Sequence, residues 1–148
     1  MRIVFVTFLM SFSNQLLGTD EACRDKTPLA IAAKSGHEAI VKFLTTEASG
    51  VDIGKADHHG MTPLNWAAGA GHTEVIRLLL DAGAEVNRAA MDGDTPLISA
   101  ITMGRTGVVR LLLEAGADAN QANMRGEKPF LLATESLKAL LEDYGASE

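Results

Sequence analysis

The chain is poor in the residues that staple small folds and in those that fill large cores: one cysteine, Cys23, four prolines and only seven Trp, Tyr and Phe in 148 positions. A single thiol excludes an intramolecular disulfide and any cysteine-built metal cluster. Thirteen Lys and Arg stand against 19 Asp and Glu with no local cluster to reverse the balance, so the basic stripe that a phosphate backbone requires is missing and no nucleic-acid partner is expected. No apolar run is long enough to span a bilayer. The length leaves no room for two ordinary catalytic domains. With 47% hydrophobic and 22% charged residues the chain has the balance of a folded protein, neither a disordered tail nor a coiled-coil rod. Scarce aromatics leave the core to small residues and leucine, and 22 Ala, 18 Leu and 14 Gly are the material for it.

That material is periodic. Thr27-Pro28-Leu29, Thr62-Pro63-Leu64 and Thr95-Pro96-Leu97 recur, followed by Lys128-Pro129-Phe130, with the prolines 35, 33 and 33 residues apart. Gly83-Ala84-Glu85-Val86-Asn87 and Gly116-Ala117-Asp118-Ala119-Asn120 are also 33 apart, and Gly36-His37, Gly71-His72 and Gly104-Arg105 form a third recurring block. Thr before Pro reads as an N-cap followed by proline at the first helical position, where its fixed φ and missing N–H cost nothing. Small residues such as Ala67 and Ala68 then allow close helix approach, and Gly71 stops the helix. A second helix follows with an apolar stripe, Val75, Leu78 and Leu79 in one unit and Val108, Leu111 and Leu112 in the next. The stretches 84–93 and 117–126 carry Asn, Asp and Gly and predict turn-like connectors back to the next Thr-Pro.

These motifs resemble the ankyrin-repeat family, whose unit pairs a β-turn with two antiparallel helices. The resemblance covers residues 22–146 and implies an all-α ankyrin-repeat solenoid of stacked helix-turn-helix units joined by β-turn connectors. Three repeats are expected at about 22–56, 57–89 and 90–122, with a shortened capping repeat at 123–146 whose polar end suits a solvated outer face. Four departures stand out. The residue after Thr-Pro-Leu, usually His in the family, is Ala30, Asn65, Ile98 or Leu131, which puts inter-repeat polar bonding there in doubt. Arg105 occupies the second His slot, Ile101 stands where a second Ala is usual, and the first repeat has two extra residues near Ala48-Ser49-Gly50.

Residues 1–21 admit two readings. Arg2 followed by an apolar run to Met10, with small residues at Ser11 and Ser13, outlines a signal peptide of 13 or 18 residues. Alternatively Phe5, Phe8, Leu9, Phe12 and Leu16 fall on one helical face, and a shift of 35 aligns the segment with Ile40-Val41-Lys42-Phe43-Leu44, so that it forms half a repeat covering the first full one. The first reading implies a secreted or periplasmic ankyrin protein, the second a cytoplasmic one.

The candidates for chemistry are thin. Asp57-His58-His59 is the densest group of potential metal ligands, but adjacent histidines do not easily converge on one ion. His37 and His72 recur at one repeat position and are expected to bridge loops. Ser35-Gly36-His37 lacks a nucleophile elbow, and Gly69-Ala70-Gly71 follows a helix instead of a strand, which excludes a dinucleotide loop. Neither catalysis nor a cofactor is expected. The resemblance instead implies a protein–protein interaction scaffold, taken here as a monomer with one protein partner; a targeting array separated from a catalytic domain is a further reading.

In a stacked array the repeated residues are consumed by the core and the intervening ones meet the partner. Around the turn glycines these are Cys23, Arg24 and Lys26; His58, His59 and Met61; Met91, Asp92 and Asp94; Met124, Arg125 and Glu127. Lys34-Ser35, Gly69-Ala70 and Thr102-Met103 end the first helices, and by resemblance all these positions line the concave side. Four of the six methionines, Met61, Met91, Met103 and Met124, fall in the set. A soft, adaptable methionine row suits a partner's apolar helix or extended segment. Trp66 is expected to pack between first helices, and Asn87 and Asn120 to close turns through side-chain hydrogen bonds.

Overall fold

A computed structural model of the chain describes residues 26–148; the half-repeat or signal segment, Cys23 and Arg24 lie outside the described residues. Among these residues the ordered structure is all helical: α1 (Pro28–Ser35), α2 (Glu38–Thr46), α3 (Pro63–Ala70), α4 (Thr73–Asp81), α5 (Pro96–Thr102), α6 (Thr106–Glu114), α7 (Pro129–Leu132) and α8 (Glu135–Asp143). First helices stack in the order α1, α3, α5, α7 and second helices in the order α2, α4, α6, while α8 packs on α7.

Every first helix begins at the proline of its motif. The hydroxyls of Thr27, Thr62 and Thr95 accept the N–H of Ala30, Asn65 and Ile98 at 3.1, 3.2 and 3.2 Å, satisfying a donor that the first turn leaves without a partner. Lys128 has no such oxygen to offer. Its helix, α7, is four residues long and passes into extended backbone at Ala133. Helices α1, α3 and α5 end in Schellman turns, where the N–H of His37, His72 and Arg105 reaches back to the carbonyl of Ala32, Ala67 and Ala100 at 3.0, 3.1 and 2.8 Å.

The core lies between the two helix layers. Leu64, Ala67 and Ala68 of α3 and Val75, Ile76 and Leu79 of α4 are all at most 1% exposed, and Leu97, Ala100, Val108, Val109 and Leu112 repeat the pattern one unit on. Each fully buried leucine or isoleucine contributes about 1.5–3 kcal/mol of transfer free energy. Alanine on the first helices allows α1, α3 and α5 to approach closely, so the leucines of the second helices can fill the wedge behind them. The extra residues of the first unit fall in the turn after α2, where the space around Gly50 is open.

Polar bridges tie each unit to its neighbour. His72 Nε2 lies 3.0 Å from the Lys34 carbonyl, and Arg105 Nε donates to the Gly69 carbonyl at 3.2 Å. The arginine in the histidine slot therefore does the same job with a longer arm; among the described residues His37 makes no such bond. Asn87 and Asn120 close turns across units: Asn87 Oδ1 accepts Asp118 N–H at 2.7 Å, and Asn120 Oδ1 accepts Ser147 N–H at 3.0 Å while its Nδ2 donates to the Gly145 carbonyl at 2.9 Å. The doubt over the slot after Thr-Pro-Leu is resolved differently in the second and third repeats. Asn65 restores the bridge through Nδ2 contacts to the carbonyls of Arg88 and Asp94 at 3.4 and 3.3 Å, whereas Ile98 fills the same position with hydrocarbon and is fully buried.

Candidate functional site

The connectors end in hairpin tips. Asp57 N–H donates to the Met61 carbonyl at 3.1 Å, Ala90 to Asp94 at 2.9 Å and Asn123 to Glu127 at 3.0 Å. Successive tips are joined by backbone bonds from Met91 N–H to the His59 carbonyl and from Met124 N–H to the Asp92 carbonyl, both 2.9 Å. Repeat period and tip bonding together set His58, Met91 and Met124 at equivalent positions in a row. Met91 and Met124 are 68% and 80% exposed, far more than a methionine used as filler would be.

Side chains rigidify the two outer tips. Asp57 is buried, and its Oδ1 accepts the N–H groups of His59 and Met61 at 3.0 Å each, while Oδ2 accepts Trp66 Nε1–H at 3.0 Å. Asn123 holds the third tip: Oδ1 accepts from Arg125 and Glu127 N–H at 3.0 Å, and Nδ2 donates to Asp94 Oδ1 and Glu127 Oε2 at 2.9 Å. Arg125 Nε and Glu127 Oε2 are 2.9 Å apart; at an exposed surface such a pair is worth about 0–1 kcal/mol. The middle tip has Ala90 in this position and relies on Asp92 Oδ1, which accepts Asp94 N–H at 3.0 Å.

Trp66 is only partly packed between the first helices. It is half-buried, with the ammonium groups of Lys26 and Lys34 over its ring at 4.1 and 4.5 Å from the centroid. Each such contact contributes about 0.5–1 kcal/mol at an exposed site. Trp66 and Met61 together form the wall shared by two cavities. One, of about 360 Å³, is completed by Lys34, Gly69, Asp94, Met103 and Arg105 among others. The other, of about 340 Å³, is completed by His59, Met91 and Asp92. Both are of the size that ligand clefts occupy.

Of the ten residues expected to face a partner, Met61, Asp94 and Met103 meet in the first cavity, and His59, Met61, Met91 and Asp92 in the second. Met124, Arg125 and Glu127 form the next tip, and His58 is exposed beside His59 with ring centroids 3.8 Å apart. Trp66 and Arg105 are cavity-lining residues that the sequence did not mark for partner contact, and they join Lys34, which it placed on the concave side. Their signal was an aromatic ring at a position where Ile or Ser stands in neighbouring repeats, next to Asp57, the only carboxylate at the first position of a hairpin tip. Among the described residues, no three His, Cys, Asp or Glu side chains gather to hold a metal ion, and no helix is long and apolar enough to cross a membrane.

Comparison with known proteins adds the lineage. A family model described as "Ankyrin repeats (3 copies)" matches residues 4–90 and 48–123. Human "Transient receptor potential cation channel subfamily A member 1" is 32% identical over 73 residues, covering 49% of this chain and 6% of that protein. "Putative glutaminase 2" of Caenorhabditis elegans is 46% identical over 55 residues, 37% of this chain and 9% of that protein. "26S proteasome non-ATPase regulatory subunit 10" of Dictyostelium discoideum is 36% identical over 70 residues, 45% of this chain and 30% of that protein. The matched stretch thus spans 30% or less of each relative. A channel, a glutaminase and a proteasome subunit have different tasks, so what the likeness carries across is the array and not an activity.

Proposed function

Because the chain belongs to the ankyrin-repeat family, whose arrays are generally protein–protein interaction modules, we propose that it is a non-catalytic scaffold that takes a protein partner along the hairpin tips and the concave face of the first helices. The observation that supports this reading is the concentration of exposed apolar surface there. Met91, Met103 and Met124 are 68%, 56% and 80% exposed, and two of them border the cavities on either side of Met61 and Trp66. Exposed large apolar side chains gathered on one surface, with a polar rim, mark an interaction site. Methionine lets that surface adapt to a partner's shape, while the hydrogen-bonded tips keep its position. The reading calls for a single protein partner per monomer and for no cofactor, metal or nucleic acid.

The double substitution Met91→Glu with Met124→Glu is expected to abolish capture of partners from a lysate of the cells that naturally make the protein. Two apolar contacts are lost and two carboxylates must be desolvated, which weakens binding by on the order of a hundredfold or more. Thermal unfolding should be nearly unchanged, because substitutions at exposed positions stay within about ±0.5 kcal/mol. A matched change on the second helices, Arg77→Glu with Arg110→Glu, should leave capture intact. If the methionine variant instead unfolds at a much lower temperature, the two residues belong to the fold and the surface assignment fails.

A further inference from the structure

We infer that the cavity between Trp66 and Arg105 selects a partner segment in which a bulky apolar side chain lies within a few residues of a carboxylate. This deepens the scaffold reading and rests on it. The cavity is lined by apolar groups, among them Met61, the Trp66 ring and Met103, and by two cations, Lys34 and Arg105. Both cations are exposed, and among the described residues neither is paired with a carboxylate. Lys34 Nζ rests over the Trp66 ring, which engages the charge through its π face but leaves N–H donors for an anion. Arg105 spends Nε on the Gly69 carbonyl, so its terminal nitrogens remain for a ligand and the guanidinium is held in place by the bond it already makes.

The negative group on the same wall does not cancel them. Asp94 Oδ1 accepts Asn123 Nδ2 at 2.9 Å and is drawn toward the third tip. Asp57, behind the indole, is buried and fully used by His59, Met61 and Trp66. In a chain with a net charge of −6, an uncommitted, exposed pair of cations lining an apolar cavity is the local exception, and it repels a basic segment while attracting an acidic one. Anchor and charge lie on one cavity, which is why the two features must lie close together in the partner's sequence.

A phage-displayed library of random linear peptides selected on the full chain tests this, with the intrinsic fluorescence of Trp66, the only tryptophan, reporting occupancy. Selected peptides are expected to carry Asp or Glu within two residues of Leu, Met, Ile or Phe. Changing that acid to its amide, or Lys34→Glu in the protein, should weaken binding about tenfold or more, Lys34→Arg should restore it, and raising salt should weaken it. Arg110→Glu, the same charge change on a second helix, should have little effect. Peptides that are displaced by Met103→Glu but show no acidic preference and bind the Lys34→Glu variant equally well would overturn the inference while leaving the groove as a binding surface. A selection that yields no peptide sensitive to Met103→Glu sinks the groove reading along with it.

Discussion

Gly93→Ala is expected to lower the unfolding temperature by roughly 10 °C or more, while the same change at Gly126 costs only a fraction of that. Both glycines hold the left-handed conformation, at φ +83° and +76°, in equivalent positions of successive tips. That conformation costs a side chain about 1–2 kcal/mol in either place. What differs is the neighbour. A methyl group on Gly93 would lie 2.5 Å from Met124 N and 2.9 Å from the Asn123 carbonyl carbon and Cα, whereas nothing lies within 4 Å of one on Gly126. The clashing atoms are backbone, and that backbone is tied into its own hairpin by Asn123 N–H to Glu127 and Gly126 N–H to Asn123, at 3.0 and 2.9 Å. It cannot yield as the end of a flexible side chain would. The third tip has to separate from the second, with loss of the Met124 to Asp92 bond, so the total penalty is on the order of 3–5 kcal/mol. Circular dichroism melts of the two variants decide the matter: equal losses would mean that left-handed strain alone accounts for both, and that tip contact contributes nothing.

Asn65→Leu should cost about 3 kcal/mol in urea unfolding, despite a similarly branched side chain of the same number of heavy atoms and a more apolar character. Asn65 is fully buried and completes four contacts. Its Oδ1 accepts the Thr62 N–H at 3.0 Å and the Thr62 hydroxyl, forming the capping box of α3, and its Nδ2 donates to the carbonyls of Arg88 and Asp94. The Asp94 carbonyl keeps another donor, Ala90 N–H at 2.9 Å. Thr62 N–H, in a residue 3% exposed, has no such reserve, and the Arg88 carbonyl also loses its donor. A buried polar group left without its partner costs about 1–3 kcal/mol. Ile98→Leu in the next repeat is the reference: there the slot is already apolar, and a volume-conserving exchange should cost below about 1.5 kcal/mol. A loss at Asn65 no greater than that would show that its bonds merely replace water. Since Asn65 also borders the larger cavity and holds the chain at Arg88 and Asp94, its loss should reduce binding as well as stability.

Much of the architecture was legible because each repeat is built from short-range rules. Thr-Pro starts a helix with a hydroxyl cap, and at Lys128, which offers no hydroxyl, the helix still begins at the proline but α7 is only four residues long. Gly36 and Gly71 end helices whatever lies beyond them. The repeat period was enough to assign Met91 and Met124 to one row, since equal spacing along the chain becomes adjacency in a stacked array. The groove was less legible. Trp66 is expected from the sequence to pack between first helices, but its neighbourhood depends on Asp57 from the preceding tip and on Lys26 and Lys34 from the preceding repeat. Asn65 and Arg105 looked like losses of the family's histidines, because a motif compares residue names. The structure compares reach and donor capacity, and by that measure both residues remake bridges between units.

By itself, then, the amino-acid sequence determined, among the described residues, where the helices start and stop and what composes their core, since capping, glycine turns and apolar periodicity act over a few residues of one chain segment. Only the tertiary structure decided which polar groups satisfy one another across repeats and where the open space lies. Those depend on distances between residues some 23 to 38 positions apart, such as Asn65 to Arg88 and His72 to Lys34, which stacking brings within 3.5 Å. The Trp66 groove is a product of that second kind of information: the Trp66 ring, the cations Lys34 and Arg105 and a methionine from three different units, brought around one cavity by the packing of the first helices.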